Sequence, residues 1–184
     1  VDTPYVDQSL GVKNIGLPTD YLSTGFGQAS SITVLQLCQA YTAIFNDGTM
    51  VRPYEIDSIV DSDTGKVEKK YKKKAVGTPI SSTTAKEVQE LMSHVTDDGA
   101  GGARFKVDGV DLLMKTGTGQ IYNTDLGKYD SDYHTSSIMA AAPANDPKIM
   151  VYYGLVSPNI TSYSAEPFKK IVRDTLQTCG ISTT

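Results

Sequence analysis

At 184 residues the chain is about the length of one soluble domain and long enough to bury a real core, with ordinary apolar (39%) and charged (21%) fractions. Its 17 basic against 21 acidic residues leave a net charge of -4, so the clustered cationic excess of a nucleic-acid surface is missing and no nucleic-acid partner is expected. No apolar run approaches the roughly 18 residues of a membrane span, and no charged-then-apolar leader opens the chain.

The first residues, VDTPYVDQSLGVKN, read like the middle of something longer. From Ser31, SITVLQLCQAYTAIFNDG sets Val34, Leu37, Cys38, Tyr41, Ile44 and Phe45 three and four apart, which predicts a helix ending at Gly48 and nearly apolar enough to be buried. RPYEIDSIVDSDTGKVEKKYKKK then predicts a hairpin turning at Asp63-Thr64-Gly65, with the lysines of 69–74 on a solvated edge. A second helix is expected over SSTTAKEVQELMSHV, with Thr84 and Glu87 at capping-box spacing and Val88, Leu91, Met92 and Val95 facing inward. TDDGAGGARF is too rich in glycine for a regular element and reads as a flexible loop.

Three strands follow, VDLLMKTGT, YHTSSIMAAAP and KIMVYYGLVSP. The last two are joined by the turn Ala144-Asn145-Asp146-Pro147 and are therefore antiparallel neighbours. A closing helix over SAEPFKKIVRDTLQTCG is capped by Ser164, tolerates Pro167 in its first turn, and places Phe168, Ile171, Val172, Thr175, Leu176 and Cys179 on one face. A strand meander backed by helices is an α+β layout, an antiparallel sheet flanked by helices. Cys38 and Cys179 form no disulfide framework, and Cys38 is expected as a buried free thiol. His94 and His134 stand apart from each other and from cysteine, so neither a metal nor a cofactor is expected.

The chemistry concentrates in KTGTG. Strand alternation sends Lys115 and Gly117 to one face, Thr116 and Thr118 to the other. Gly117 and Gly119 weaken a strand interior, which suggests that a backbone or a ligand comes close there, and an extended peptide could add to such an edge by main-chain hydrogen bonds. Lys115 supplies a positive field, threonine hydroxyls can hold a carboxylate or pass a proton, and a free strand N–H near Thr118 could help stabilise an oxyanion. The pattern suits an acyl-transfer site that receives a peptide with an anionic end. A bare Lys-Thr-Gly triplet also arises by chance, and then marks a surface turn.

Lys115-Thr116-Gly117, with Thr118 and Gln120, resembles the third motif of the penicillin-recognising serine transferases, whose set is S-x-x-K, S-x-N and K-T-G. STGFGQASSITVLQLCQAYTAIFNDGTMVRPYEI is similar to a segment of the class B penicillin-binding proteins. The resemblance covers almost the whole chain. It implies that residues 1–184 are the C-terminal portion of one transpeptidase domain, acting on peptidoglycan stem peptides that end in D-Ala-D-Ala and acylated by β-lactams. The protein would work at the extracytoplasmic face of a bacterial plasma membrane, anchored through a segment not in this chain, and would need the missing N-terminal part of the same protein. Carried over, the catalytic residues are Lys115 and Thr118, and the substrate-binding residues are Thr116, Gly117 and Thr118. Gly119 departs from the alanine often found there.

The family's nucleophile is the serine of S-x-x-K, and no lysine here has a serine three positions earlier; Thr83, three before Lys86, comes closest and lies at a helix start. Ser157-Pro158-Asn159 spells S-x-N but follows K-T-G where the family has it before, and reads as a turn. The chain by itself is therefore expected to be inactive. A β-lactam sensor or serine β-lactamase would share K-T-G, and a non-catalytic module binding cell-wall peptides or division partners is the alternative of another class.

Overall fold

The computed structural model describes residues 18–25, 27, 32–157 and 164–182. The chain falls into two compact units, residues 1–85 and 86–184.

In the first unit, α1 spans Pro18–Gly25 and α2 Val34–Phe45. No helix was anticipated at α1, and the predicted start of α2 at Ser31 lies outside the described residues. Thr33 caps α2 in a reciprocal capping box: its hydroxyl accepts the Gln36 N–H at 3.1 Å while Gln36 Oε1 accepts the Thr33 N–H at 3.0 Å. The helix ends at Phe45, and the chain turns through Asp47 and Gly48, both with positive φ. At Gly48 a side chain is excluded as well, because a Cβ would lie 2.3 Å from the Ile80 carbonyl oxygen.

The expectation that α2 is buried fails: only Ala43 is fully enclosed, Val34 is 49% exposed, and Cys38 is a half-buried free thiol. The strands described in this unit form two-stranded ladders, which cannot wrap a helix that is apolar on most sides. In one, β1 (Met50–Arg52) pairs antiparallel with β4 (Lys74–Gly77), a pairing not anticipated from sequence. In the other, β2 (Ser58–Val60) and β3 (Val67–Lys70) form the predicted hairpin. Its turn is held by Asp61 Oδ1, which accepts the Thr64 hydroxyl, the Thr64 N–H and the Asp63 N–H, and these bonds hold the Asp61 carboxyl below its ordinary range. Lys69, Lys70 and Lys72 to Lys74 are exposed, as a solvated edge requires.

The division between the units falls inside α3 (Ser82–Ser93). Its cap is Ser81, whose Oγ accepts the Thr84 N–H at 3.0 Å, so Thr84 sits in the first turn and is not the cap expected of it. Ala85 and Met92 are buried, but Leu91 is 72% exposed and does not belong to the inner face. Leu91 adjoins Met92 in sequence, and the 100° step between neighbours carries it off the covered stripe. The glycine-rich stretch carries two 3₁₀ turns, His94–Thr96 and Ala103–Phe105, the second burying Phe105 to 1% exposure. Gly102 donates to the Val95 carbonyl oxygen at 3.1 Å, and a Cβ there would lie 2.6 Å from that oxygen. The stretch expected as a flexible loop is thus a packed connection, with glycine permitting the close approach.

The sheet of the second unit has the order β5-β6-β7, antiparallel throughout: β5 is Leu113–Asn123, β6 Lys128–Ala142 and β7 Ile149–Ser157. Residues 143–148 form the expected turn between β6 and β7. Beyond the predicted end of the K-T-G strand, β5 runs on into a second hairpin with β6, where Tyr122 and Tyr129 face each other at 5.5 Å between ring centroids. β6 bulges between His134 and Tyr129, and Asp130 Oδ1 accepts the N–H groups of Asp132 and Tyr133 there, which lowers the Asp130 pKa.

α4 (Glu166–Thr178) is entered through Ser164, whose Oγ accepts the Glu166 N–H at 3.2 Å. Phe168, Val172 and Leu176 are its buried stripe; Ile171, 41% exposed, lies outside the face assigned to it because its angular position flanks that stripe, and exposed Cys179 lies beyond the last turn, as the C-cap. The core of this unit joins that stripe to Phe105, Val107, Met114, Ile138, Ala140 and Val151. Phe105 and Phe168 meet edge to face at 5.8 Å.

Candidate functional site

β5 is an edge strand. β6 pairs with one side of it, and among the described residues no strand pairs with the other. Along it Lys115 opposes Met139, Thr116 opposes Ile138, Gly117 opposes Ser137 and Thr118 opposes Ser136. Met114, Ile138 and Ala140 carry the core, so Thr116 and Thr118 continue the core-side face beyond its sealed part. Lys115, Gly117 and Gly119 occupy the opposite face with Ser137 and Thr135, as alternation requires.

Lys115 and Thr118 are exposed, Thr116 and Gly117 half-buried. The Lys115 ammonium turns onto its own strand and donates to the Thr116 carbonyl oxygen. The four candidate residues are thus consecutive on an open sheet margin, with the cation on one face and the hydroxyls on the other. An unpaired strand edge offers a row of backbone donors and acceptors to an extended peptide. A pocket of about 280 Å³ lies instead at the start of β5, against Asp111, Pro143, Asn145 and Leu176, and does not include the K-T-G residues.

The two glycines differ. At Gly119 a Cβ would meet nothing within 4 Å, so no close approach accounts for it; at Gly117 it would meet Ser137 Oγ at 2.7 Å. What comes close to the strand is a side-chain hydroxyl from across the ladder. Ser137, and Ser136 on the other face, were not singled out from sequence: HTSSIM reads only as strand alternation, and which residue faces Gly117 depends on register. Ser136 is 1% exposed, and its Oγ and the Nδ1 of His134 are buried without a hydrogen-bond partner among the described residues. Thr83 and Lys86 are exposed on α3, and Pro158 and Asn159 lie outside the described residues.

Residues 5–177 match the model of the penicillin binding protein transpeptidase domain. The chain belongs to the transpeptidase family of the class B penicillin-binding proteins. It is 31% identical over 172 residues to the probable peptidoglycan D,D-transpeptidase PenA of Neisseria gonorrhoeae, covering 91% of this chain and 27% of that protein. It is 33% identical over 169 residues to the stage V sporulation protein D of Bacillus subtilis, covering 89% and 26%. Among solved structures, penicillin binding protein 2X from Streptococcus thermophilus superposes with a TM-score of 0.78 at 28% identity, over 92% of this chain and 26% of that one. The chain thus spans about a quarter of the length of these relatives.

Proposed function

We propose that residues 1–184 are the C-terminal portion of one peptidoglycan D,D-transpeptidase domain in a longer protein, and that they supply the K-T-G wall of its acyl-transfer site. The observation that carries this reading is the placement of Lys115, Thr116, Gly117 and Thr118 on a sheet edge with no strand on its outer side among the described residues. Stem peptides ending in D-Ala-D-Ala, or β-lactams in their place, lie along that edge. Lys115 supplies the positive field, Thr116 and Thr118 engage the substrate carboxylate, and the Thr118 backbone N–H contributes to the oxyanion hole. The serine nucleophile comes from the remaining part of the same protein, at the extracytoplasmic face of a bacterial plasma membrane. Family membership and the name of the Neisseria relative support this assignment.

In the full-length protein, Lys115→Ala slows acylation by labelled penicillin by about a hundredfold, the scale for losing one group that stabilises an acyl-transfer transition state, and Thr118→Ala, which keeps the backbone N–H and removes only the hydroxyl on the carboxylate, slows it by about tenfold. Acylation of Lys115→Ala at the wild-type rate would remove the K-T-G strand from the site.

A further inference from the structure

Gly117 is not among the glycines whose backbone needs a left-handed conformation, so its identity is not set by φ. A Cβ there would meet one atom, Ser137 Oγ at 2.7 Å, the end of a side chain that a turn about χ1 moves aside. The register continues from Gly117 through Ser137 to Gly154 on β7, so on the Lys115 face this row carries a single side chain, flanked by two positions without one. The side of the row toward β7 is occupied, because a Cβ on Gly154 would lie 2.8 Å from the Tyr152 ring and hydroxyl. The side toward β5 is bare backbone, and among the described residues no strand pairs beyond it. Ser137 is half-buried, and its hydroxyl makes no hydrogen bond among the described residues. On this face no side chain of the row stands between Ser137 Oγ and the outer side of β5, and Lys115 is one row away on the same face.

We infer that Ser137 is a further substrate-binding residue of this site, its hydroxyl donating to an oxygen acceptor of the acyl donor that reaches across Gly117. This rests on the reading of β5 as the edge along which the donor lies. A group projecting from that donor onto the Lys115 face meets no side chain at 117, and the next polar atom inward is Ser137 Oγ. The oxygen it reaches is a carbonyl or carboxylate of a peptide or of a β-lactam standing in for one. Such a bond contributes to holding the donor and is made before the chemistry.

The test uses the full-length protein and benzylpenicillin, with the acylation rate followed against concentration for wild type, Ser137→Ala and Lys115→Ala, and the thermal midpoint recorded for each. Ser137→Ala is expected to raise the half-saturating concentration about tenfold, the loss of one hydrogen bond on the neutral-to-charged scale, with the limiting rate within about twofold of wild type and the midpoint unchanged. An unchanged half-saturating concentration in Ser137→Ala, while Lys115→Ala is slow, overturns the role of Ser137 and leaves the K-T-G assignment standing. A lowered midpoint with an unchanged half-saturating concentration assigns the serine to packing and also overturns it. If Lys115→Ala is acylated like wild type, the edge is not the site and both readings fall.

Discussion

At the scale of single residues, neighbours that sequence spacing does not reveal decide what a side chain does. Gly117 and Gly119 both read as glycines in a strand interior, yet only the first has a hydroxyl of the adjacent strand, Ser137 Oγ, against the place a Cβ would take. His94 shows the same dependence through charge. Its Nδ1 lies 2.8 Å from Asp97 Oδ2 and its Nε2 3.4 Å from Glu90 Oε1, and the hydrogen bond to Asp97, then that to Glu90, raises its pKa above the ordinary histidine value. A pKa raised in the folded state means that this stabilisation is complete below the unfolded value of about 6.5 and is lost as pH rises through the folded value. NMR titration should find His94 above that ordinary value, and Asp97→Asn should bring it down. A wild-type His94 that titrates at or below the ordinary value would show that the pair does not form in solution.

At the scale of elements, periodicity located each of the longer helices and the three long strands, while ends and faces needed atoms. Spelling pointed to Thr84 as the cap of α3, through its capping-box spacing to Glu87; hydrogen bonding selects Ser81 instead. In equilibrium unfolding, Ser81→Ala should therefore cost about 1 kcal/mol, whereas Thr84→Ala, inside the first turn where alanine favours helix, should be nearly neutral. Equal losses would return the cap to Thr84. The face assignments at Leu91 and Ile171 failed for a related reason: an apolar residue beside a buried stripe fits the helical spacing, and only the width of the covering surface decides whether it is inside. The β1–β4 ladder was missed because three- and four-residue strands carry too little alternation to register as a pattern.

At the scale of the whole molecule, the missing S-x-x-K and the coverage of only about a quarter of each relative give the same expectation. Labelled penicillin added to the 184-residue chain alone should leave no covalent adduct after denaturation, while the full-length protein should be labelled. A stable adduct on the isolated chain would place a nucleophile within these residues and contradict the proposed division of labour.

The sequence by itself determined the α+β class, the longer helices, the antiparallel pair around 143–148, and the K-T-G strand with its resemblance to the transpeptidases. Those follow from local pattern and composition, which each segment carries alone. Only the tertiary structure decided that among the described residues no strand pairs with the outer side of β5, that Ser137 stands over Gly117, and which apolar flanks stay in water. The physical reason is that strand order and register are set by contacts between residues distant in the chain: a one-residue slip would turn every side chain of β6 to the other face, and nothing in the local spelling of KTGTG or HTSSIM forbids it.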